Sequence, residues 1–421
     1  MSRTWDVAIV GAGYVGLPLA QTFADAGKRV LILDVVPEVV DGINAGRSHI
    51  EDVSSEALEE HVSNGHIAAT LDYGELRQAD AILIALPTPL TRQREPDLGY
   101  VERASHSIAA NLQPGQLVVL ESTTYPGTTR EVVQPILEQG SGLEAGKDFH
   151  LAMSPERVDP GRTDWTTKTT PKVVGGLTPA CTAAAAELYR GAVDTVYEVT
   201  APESAELTKL LENIYRSVNI ALVNELAQLC DRMGIDVWEV VDAAATKPFG
   251  FQSFQPGPGL GGHCIPLDPY YLSWKAREYD FSARFIELAG EVNNNMPYFC
   301  RSVISQALNH GAERSLKGAK VLVLGVAYKS DISDVRESPA LKVMDLLEHA
   351  GAEVSYHDPH VATLNGKSSV PLEPGAYDCV AILTAHSSID HAQVVRDSKV
   401  VVDFRNATGD AGRSDPKVWK L

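Results

Sequence analysis

Short apolar runs alternate with helical stretches along the first third of the chain. The apolar runs cover residues 6–10, 29–33, 81–85, 117–120 and 150–153. Because strands that alternate with helices form parallel sheets with helices on both faces, this part predicts an α/β domain with a doubly wound sheet. We also expect a helix from residue 15 to residue 26, ended by a glycine at position 27.

From Pro202 the spacing of apolar residues changes to that of a long helix. Apolar side chains then recur every three or four residues, at Leu207, Leu211, Ile214, Val218, Leu222, Leu226 and Leu229. More helical sequence covers residues 237–244, 269–278 and 285–310. We therefore expect a central all-helical domain with one long helix. Its apolar stripe is either a dimer face or part of the core of the chain itself.

A second alternation of strands and helices begins at Lys320. Strands are expected over residues 321–326, 353–357, 377–383 and 399–403, with a helix over residues 338–350. The first and last thirds thus predict two copies of one α/β architecture. The expected domains are residues 1–200, 201–314 and 315–421.

The composition is that of an ordinary globular protein, with 44% hydrophobic and 22% charged residues among 421. A net charge of −19 argues against nucleic acid as a partner, because its phosphates would be repelled. The chain enters a strand pattern at its start, which predicts no signal peptide, and no apolar run approaches the roughly 20 residues of a spanning helix. Five scattered cysteines suit a reducing compartment. We expect a cytoplasmic protein that binds neither nucleic acid nor a membrane.

A glycine-rich turn follows the first predicted strand and opens the first predicted helix. Gly11 permits the tight turn, Gly13 lets the backbone approach a pyrophosphate, and Gly16 allows the helix to pack closely on the strand. The helix N-terminus then offers free amides to the phosphates. Asp34 ends the second strand, where a carboxylate would accept ribose hydroxyls and repel a 2′-phosphate. Because the next basic residue is Arg47, this Rossmann-type domain is predicted to bind NAD rather than NADP.

The corresponding turn of the C-terminal domain starts at Gly325 but lacks the second and third glycines. This domain is therefore predicted to be Rossmann-like without binding a second dinucleotide. Lys329 and Arg336 bring cations to the crevice at the strand ends, where open α/β sheets bind ligands. They are either contacts for a phosphate-bearing ligand or solvated surface charges.

Lys209 and Asn213 are four residues apart, so they share one face of the long helix. That face is offset from the leucine stripe. An ammonium and an amide that point together into a cleft could hold a sugar oxygen and stabilise an oxyanion. The alternative is an ordinary polar surface.

One cysteine, Cys264, stands in a glycine-rich segment far downstream of the dinucleotide fingerprint. Glycines at four of the residues 257–262 form a flexible cradle before it, and Asp268 follows four residues later. A thiol nucleophile traps an aldehyde as a thiohemiacetal, which can lose a second hydride and become a thioester. Cys264 therefore indicates a four-electron dehydrogenase, with a buried filler as the alternative. The other cysteines fall in helix or strand patterns, and no cysteine or histidine pair has the spacing of a metal site.

These motifs, in this order, resemble the UDP-glucose/GDP-mannose dehydrogenase family of nucleotide-sugar 6-dehydrogenases over essentially the whole chain. The matching segments are residues 11–20, 87–89, 121–127, 154–158, 206–209 with Asn213, 261–264, and 328–329 with 336–338. The resemblance implies NAD as cofactor and a UDP-sugar as substrate. It also implies a homodimer, or a higher oligomer, formed through the central helices.

The resemblance further implies roles for individual residues in the reaction. Cys264 would attack the aldehyde at C6 of the sugar, and Lys209 would stabilise the developing oxyanion. Asn213 would orient the sugar. Asp268 and Thr123 would hold the water used in proton transfer and in hydrolysis of the thioester.

Other residues match the binding sites of the family. The implied NAD contacts are Gly11, Gly13, Tyr14, Val15, Gly16, Asp34, Thr88 and Thr123. The implied substrate contacts are Glu156, Arg157, Val158, Lys209, Asn213, Phe254, Gly259, Gly261, Lys329, Arg336 and Arg405. Glu156 is in addition a candidate base for the hydrolysis of the thioester.

One position departs from the family pattern. UDP-glucose dehydrogenases carry a second acidic residue four positions after the glutamate that matches Glu156, and this chain has Pro160 there. Residues 251–269 instead resemble the branch that oxidises UDP-N-acetylhexosamines. Within that branch, residues 154–161 and 263–266 resemble the UDP-N-acetyl-D-glucosamine enzymes more than the UDP-N-acetyl-D-mannosamine enzymes. UDP-N-acetyl-D-glucosamine is thus the expected substrate, with UDP-N-acetyl-D-mannosamine and then UDP-glucose as alternatives.

Three other functions are compatible with an NAD-binding fold. A two-electron dehydrogenase would release one NADH for each product, and a four-electron dehydrogenase would release two. A nucleotide-sugar epimerase would use NAD without net reduction. A non-catalytic NAD-binding protein would be indifferent to replacement of Cys264.

Overall fold

A computed structural model describes residues 3–91, 93–157, 164–262 and 265–421 of the chain. The N-terminal part forms a sheet. Its strands are β1 (Trp5–Val10), β2 (Val30–Leu33), β3 (Ile67–Thr70), β4 (Ala79–Ile84), β5 (Leu117–Leu120), β6 (His150–Met153), β7 (Lys172–Gly176) and β8 (Val196–Val199). In the described part of the chain, these eight strands lie in the order β3-β2-β1-β4-β5-β6-β7-β8. Neighbouring strands run parallel except for β6 and β7, which are antiparallel.

Helices cover both faces of this sheet. They are α1 (Gly16–Asp25), α2 (Pro37–Asn44), α3 (Ser55–Ser63), α4 (Gly99–Ala109), α5 (Gln134–Ser141) and α6 (Pro179–Arg190). Alternate residues of β1 belong to different core clusters, with Val7 and Ile9 in one and Ala8 and Val10 in the other. Because both faces are covered, β1 is a continuous apolar run instead of an alternating one. The predicted doubly wound sheet is confirmed.

The strand order reverses at β1, which lies between β2 and β4. The loops that follow β1 and β4 begin at Gly11 and Ala85 and therefore leave the sheet in opposite directions. Ligands of open α/β sheets bind in the crevice at such a switch point. The glycine-rich turn is thus located where a dinucleotide is expected.

The central part of the chain is helical, as predicted. Its helices are α7 (Pro202–Met233), α8 (Val237–Ala245), α9 (Asp268–Ala276) and α10 (Arg284–Gly311). The predicted apolar stripe does not lie in the core of the chain, because most of its members are exposed: Leu207, Leu211, Leu222, Leu226 and Leu229. The buried residues of α7 include apolar ones such as Leu210, Ala221 and Val223, and also the polar side chains of Glu206, Lys209, Asn213, Ser217 and Asn224.

The C-terminal sheet repeats the arrangement of the first. Its elements are β9 (Lys320–Leu324), α11 (Pro339–His349), β10 (Glu353–His357), β13 (Cys379–Ile382), α12 (His391–Asp397), β14 (Val401–Asp403), α13 (Gly409–Arg413) and β15 (Val418–Lys420), while β11 (Thr363–Leu364) and β12 (Lys367–Ser368) form a separate hairpin. As described, the order is β10-β9-β13-β14-β15, with all neighbours parallel. The strand β9 is flanked as β1 is, so the two α/β copies predicted from the sequence are confirmed.

The chain divides into two compact units. One comprises residues 1–212 and 270–281, and the other residues 213–269 and 282–421. The division into three domains at about residues 200 and 315 stays a prediction. Of the helices that the structure describes, none combines the length and the apolarity needed to cross a membrane.

Candidate functional site

The turn between β1 and α1 leaves room for a ligand directly above Gly13. Gly11 has a φ of +106°, and a Cβ there would collide with the carbonyl of Ala85. A Cβ on Gly16 would collide with the carbonyl of Gly11, so the first turn of α1 lies against the end of β1. No atom of the described residues lies within 4 Å of the position that a Cβ of Gly13 would take. The turn therefore packs tightly on its inner side and is open on its outer side.

The open side of this turn suits an anion. The first turn of α1 contains no acidic residue, and among the described residues no side chain caps it. The positive end of the helix dipole therefore has no carboxylate of its own first turn beside it and would favour a phosphate, although the amides of Leu17 and Leu19 already donate to the carbonyls of Gly13 and Val15. Asp34 lies beside the turn, where its Oδ2 accepts the Ala12 amide at 2.9 Å. Tyr14, which is 45% exposed, and the half-buried Val15 flank the same opening.

The loops after β4 and β5 are tied together by hydroxyl groups. Thr88 donates its hydroxyl to the carbonyl of Thr123 at 2.7 Å. The Ser122 hydroxyl accepts the Leu86 amide at 2.9 Å. On α9, Tyr271 donates its hydroxyl to the carbonyl of Thr88. The two threonines that were predicted to contact NAD are thus adjacent and held in place.

A buried ionic cluster lies next to Glu156. The Lys172 ammonium donates to Glu121 at 2.6 Å, and both side chains are almost fully buried. The Tyr189 hydroxyl donates to the other oxygen of Glu121. Lys172 also lies 3.5 Å from Oε2 of Glu156, whose side chain is 14% exposed. We call Lys172, Glu121 and Tyr189 the Lys172 cluster.

The Lys172 cluster contains a carboxyl group that titrates near neutral pH. Burial raises the pKa of Glu121 to about 7, and the Lys172 ammonium only partly offsets this effect. The second carboxylate, Glu156, also contributes to the raised pKa. The cluster therefore places a cation and a titratable acid behind the predicted hydrolytic base.

Arg157 is held away from Glu156 by its own partners. Its guanidinium donates to the carbonyl of Pro171 at 2.6 Å and to Glu212 at 2.5 Å. Its backbone amide donates to Oε1 of Glu156 at 2.7 Å. Val158, which was also predicted to contact the substrate, lies outside the described residues.

A buried carboxylate anchors the start of α7. Glu206 accepts the Gly127 amide at 2.6 Å through one oxygen, and the amide and hydroxyl of Thr129 through the other. Burial raises the pKa of Glu206 to about 7, although these hydrogen bonds oppose the shift. Lys209 follows one turn later and is only 8% exposed. Its ammonium is thus largely withdrawn from solvent.

Asn213 and Asp268 form a buried pair. The amide of Asn213 donates to Oδ2 of Asp268 at 2.5 Å, and the two residues are 4% and 5% exposed. Asp268 is the first residue of α9. Cys264 lies outside the described residues, four positions earlier in the chain.

The glycine-rich segment is held by a buried amide network. The Gly257 amide donates to Asn224 at 2.9 Å, and Asn224 donates to Asn293 at 2.9 Å. Gly259 has a φ of +133°, a conformation that favours glycine. A Cβ on Gly261 would lie 2.6 Å from Cβ of Tyr328. Positions 259 and 261 therefore require glycine, the first for its backbone conformation and the second for its close approach to Tyr328.

A cavity of about 420 Å³ adjoins this segment. Its lining residues are Trp238, Gln255, Pro256, Tyr328, Lys329, Ser330, Thr384, Ala385, Arg405 and Asn406. Arg405 donates its Nε to the carbonyl of Leu383 at 2.9 Å, which fixes the guanidinium at the cavity wall. The cavity therefore offers a fixed cation, a second cation from Lys329, and aromatic and amide groups to a ligand.

Two other predicted substrate contacts lie outside the lining of this cavity. The Arg336 guanidinium forms a bidentate pair with Asp334, at 3.0 and 2.6 Å. Its backbone carbonyl instead accepts the Gly262 amide at 3.1 Å. Phe254 packs edge-on against Tyr215, with ring centroids 5.7 Å apart. These contacts do not bring either side chain to the wall of the cavity.

The C-terminal counterpart of Asp34 is Asp358, and its acceptor capacity is already used. Its Oδ2 accepts the Val326 amide at 2.7 Å and faces Nε2 of His386 at 3.0 Å. Its Oδ1 accepts the amides of His360 and Val361 at 2.8 and 3.1 Å. A carboxylate has about four acceptor sites, so little remains for ribose hydroxyls.

Profiles of one protein family match most of the chain. The UDP-glucose/GDP-mannose dehydrogenase family matches through its NAD binding domain at residues 5–193, its central domain at residues 203–295 and its UDP binding domain at residues 322–410. The chain belongs to the UDP-glucose/GDP-mannose dehydrogenase family. This dehydrogenase is an NAD-dependent oxidoreductase of nucleotide sugars, and the predicted family and cofactor are confirmed.

Known relatives are similar to this dehydrogenase over nearly its whole length. An NDP-N-acetyl-D-galactosaminuronic acid dehydrogenase from Ralstonia solanacearum is 37% identical over 414 residues, which are 95% of each chain. A UDP-N-acetyl-D-mannosamine dehydrogenase from Pyrococcus horikoshii is 37% identical over 406 residues, also 95% of each. The solved structure of UDP-D-ManNAc dehydrogenase from the same organism has a TM-score of 0.90 at 34% identity and covers 99% of this chain and 98% of that chain.

The structure of the dehydrogenase brings many of the predicted site residues together in small groups. Gly11, Gly13, Gly16 and Asp34 surround one turn, and Thr88 contacts Thr123. Asn213 contacts Asp268, while Lys329 and Arg405 line one cavity. Their roles in the reaction stay predictions.

Several groups of the dehydrogenase near these residues were not predicted from its sequence. Glu121 lies in a matching motif without a role assigned to it, and Lys172 starts an apolar strand, where a lysine is unusual. A lysine at the start of an apolar strand was the one indication in the sequence that Lys172 is a buried charge. Asn224, Asn293 and His386 gave no signal of this kind, since each lies in an ordinary helical or loop context.

One cluster of potential ligands that the sequence did not predict also lies in the dehydrogenase. Within the described ranges, ligand atoms of Asp331, His360 and His386 lie within 4.8 Å of one another. Both ring nitrogens of His386 already have hydrogen-bond partners, Asp358 and the Asp331 amide. We therefore assign no metal to this cluster.

Proposed function

We propose that this protein oxidises the C6 hydroxyl of a UDP-N-acetylhexosamine to a carboxylate in two NAD-dependent steps, with Cys264 as the nucleophile. The observation that carries the proposal is the buried pair of Asn213 and Asp268. Buried polar groups need hydrogen-bond partners, as this pair has, and such groups are candidates for orienting a ligand or a water. They come from two segments of the family motif and lie at the start of α9, close in sequence to Cys264.

The turn at β1 suits the cofactor. The space above Gly13 and the uncapped start of α1, as described, would receive the pyrophosphate, and Asp34 would accept the ribose hydroxyls. Thr88 and Thr123 would lie along the nicotinamide end. Bound NAD supplies the hydride acceptor in each oxidation.

The residues of the chain would handle the oxygen, sulfur and proton steps. In the first oxidation, C6 loses a hydride and its hydroxyl proton passes to a water held by Asp268 and Thr123. The Cys264 thiolate then bonds to the aldehyde carbon, and Lys209 stabilises the resulting oxyanion. Loss of a second hydride leaves a thioester.

Hydrolysis would complete the reaction. A water gives one proton to Glu156 and bonds to the thioester carbon, the carbon–sulfur bond breaks with Cys264 leaving as a thiolate, and the carboxylic acid so formed gives its remaining proton to solvent. The products are the uronate and the free enzyme. Asn213 would hold the sugar in the same orientation through both oxidations.

The cavity that Lys329 and Arg405 line is the proposed site of the nucleotide. Its lining residues from Tyr328 to Asn406 fall within the range matched by the UDP binding domain. Two cations suit a diphosphate, and Trp238 suits contact with a base or a sugar. The sugar would extend from this cavity toward the glycine-rich segment.

Three N-acetylhexosamines are candidates within the class. Residues 154–161 and 263–266 resemble the enzymes for UDP-N-acetyl-D-glucosamine, which makes that sugar the candidate from sequence motifs. The names of the relatives point instead to N-acetyl-D-mannosamine, in the relative and the solved structure from Pyrococcus horikoshii, and to an N-acetyl-D-galactosamine derivative, in the relative from Ralstonia solanacearum. UDP-glucose is less favoured, because Pro160 replaces the second acidic residue.

A homodimer through α7 accompanies this proposal. The exposed stripe of Leu211, Leu222, Leu226 and Leu229 is an apolar surface too long for an ordinary solvated helix. A second copy would cover it.

The proposal is tested by counting NADH. The purified protein is incubated with NAD and each of UDP-GlcNAc, UDP-ManNAc, UDP-GalNAc, UDP-glucose and GDP-mannose, and NADH and uronate are measured. Two NADH for each uronate, with one N-acetylhexosamine preferred, is the expected result. One NADH for each product would identify a two-electron dehydrogenase, and product without NADH would identify an epimerase.

Two variants assign the steps. Cys264→Ser should stall turnover after the aldehyde or leave a slowly hydrolysed ester, and normal uronate release would remove the thiol from the mechanism. Lys209→Ala should lower kcat by roughly two to three orders of magnitude, as expected when an oxyanion loses its partner. An effect confined to KM would make Lys209 a binding residue.

A further inference from the structure

His386 is a fully buried histidine whose two ring nitrogens have different partners. Its side chain is 0% exposed, and Nε2 lies 3.0 Å from Oδ2 of Asp358. On the opposite side of the ring, Nδ1 accepts the backbone amide of Asp331 at 3.0 Å. The imidazole therefore connects the end of β10 with the loop after β9.

The hydrogen-bond partners define the tautomer of His386. Burial opposes ionisation of Asp358, but hydrogen bonds from His386, Val326 and His360 lower the pKa of its carboxyl to about 2. The carboxylate accepts, so Nε2 carries the proton. Nδ1 is then an unprotonated acceptor, as its contact with an N–H donor requires.

The Asp331 amide is the end of a segment that forms one wall of the cavity. Tyr328, Lys329 and Ser330 precede Asp331 directly, and all three line the cavity. Asp331 itself has a φ of +62°, a left-handed conformation that costs free energy in a residue other than glycine. Its carboxylate accepts the Ser387 amide at 2.8 Å. The segment is therefore held in an unfavourable conformation by bonds to residues 386 and 387.

The other side of His386 also belongs to the cavity wall. Thr384 and Ala385 precede it directly and line the cavity. The Thr384 hydroxyl donates to the carbonyl of Ala327 at 2.6 Å, which joins the two walls once more. His386 thus lies behind the cavity, between the two segments that form it.

We propose that His386 is a positioning residue for nucleotide-sugar binding, which fixes residues 328–331 so that Lys329 lines the cavity. This inference rests on the proposed function, because it takes the cavity as the nucleotide site. His386 touches neither substrate nor cofactor. Its effect is on the affinity for the nucleotide and not on the chemical steps.

The test compares two replacements of His386 with a control. His386→Leu removes the acceptor, whereas His386→Asn keeps an acceptor near the position of Nδ1. His349→Leu, at an exposed histidine of α11, is the matched control. The dissociation constant of UDP is measured by calorimetry at pH 7.5 with EDTA present, together with kcat and KM for the UDP-sugar and for NAD.

The expected results separate positioning from a general loss of structure. His386→Leu should weaken UDP binding and raise the KM of the UDP-sugar about tenfold at pH 7.5, the effect of roughly one net hydrogen bond. Its kcat and its KM for NAD should stay within twofold of wild type. His386→Asn should bind UDP within about threefold of wild type at pH 7.5, because it keeps an acceptor for the Asp331 amide.

Several results would overturn the inference. One is UDP binding by the leucine variant that equals wild type, and another is a parallel fall in kcat and NAD affinity. A third is an asparagine variant that binds UDP as weakly as the leucine variant. If the wild-type protein binds UDP and oxidises UDP-sugars but the variants give one of these results, only the inference about His386 fails. If wild-type protein does not bind UDP, the proposed nucleotide site fails and the inference fails with it.

Discussion

Lys172 and Glu121 are oppositely charged residues that are buried together in the N-terminal sheet. Each charge has the other as its partner at 2.6 Å, and Tyr189 supplies another donor to Glu121. Removal of one member of such a pair leaves an uncompensated buried charge, which costs more than the pair itself contributes. The Lys172 cluster is therefore sensitive to any single replacement, although it adds little net stability.

Replacement of Lys172 tests whether the Lys172 cluster is sensitive to the loss of one charge. Lys172→Met should lower the free energy of unfolding by about 3–5 kcal/mol at pH 8, where Glu121 is ionised. The loss should be smaller at pH 6, because Glu121 then takes up a proton and its burial costs less. Urea denaturation at both pH values measures this.

The exposed Lys168, in the loop before β7, provides the control. Lys168→Met should change the free energy of unfolding by no more than about 0.5 kcal/mol at either pH. Equal losses for Lys172→Met at pH 6 and pH 8 would show that Glu121 is not the group left unpaired.

Single residues also mark the limit of what the sequence could predict about the site. The turn at Gly11 and the carboxylate of Asp34 were predictable because their spacing follows from one local geometry. The contact of Lys172 with Glu121 joins residues 51 positions apart, and that of His386 with Asp358 spans 28. No local pattern encodes such pairs, since they depend on which strands become neighbours.

Among the secondary-structure elements, α7 has an exposed apolar stripe and a buried side of mixed character. The buried side contains Lys209, Asn213 and Asn224 together with Leu210 and Val223. Periodicity predicted the helix correctly, because an apolar repeat of about 3.6 residues indicates a helix whatever covers each face. The pattern left open whether the stripe packs inside the chain or against a second copy, because that depends on the rest of the fold.

The exposed stripe of α7 predicts the oligomeric state. Leu226→Glu combined with Leu229→Glu should convert a dimer into a monomer, because two charges would be buried in an apolar interface. Light scattering coupled to size-exclusion chromatography gives the mass. Tyr197→Glu, at an exposed residue of β8, should leave the dimer intact. A wild-type protein that is monomeric at micromolar concentration would contradict the proposed dimer.

The order of elements in the whole molecule was largely predictable. Two α/β parts and a helical middle part follow from the alternation of apolar periods, and the structure confirms them. The strands β7 and β8 were missed because neither is a continuous apolar run: β7 begins with Lys172 and ends in two glycines, and two of the four residues of β8 are exposed. The division into compact units was also not predictable, since residues 270–281 join the N-terminal unit across a long sequence separation.

The stability of the whole molecule should depend on pH through its buried carboxyl groups. The pKa of Glu206 is raised to about 7 in the folded protein, above its value in an unfolded chain. The folded state therefore holds its proton more tightly, and stability falls as pH rises from about 4.5 to about 7. Above pH 7 this contribution is constant. Glu121 acts in the same direction.

Calorimetric or urea unfolding across this range measures the effect. Wild-type protein should lose up to about 1.4 kcal/mol for each pH unit from Glu206 alone, and Glu206→Gln should reduce that slope. The variant also loses an acceptor for one amide, so its stability at pH 5 should be lower than that of wild type. An unchanged slope would show that Glu206 is ionised throughout the range.

The carboxylate of Asp358, whose acceptor sites are all occupied, limits any redesign of the C-terminal domain to bind NAD. Four amides and one imidazole approach its two oxygens, so an incoming ribose would have to displace donors that have no other acceptor. Restoration of the missing glycines after Gly325 would therefore not be enough to create a second NAD site. An engineer would first have to give those amides and the imidazole new acceptors.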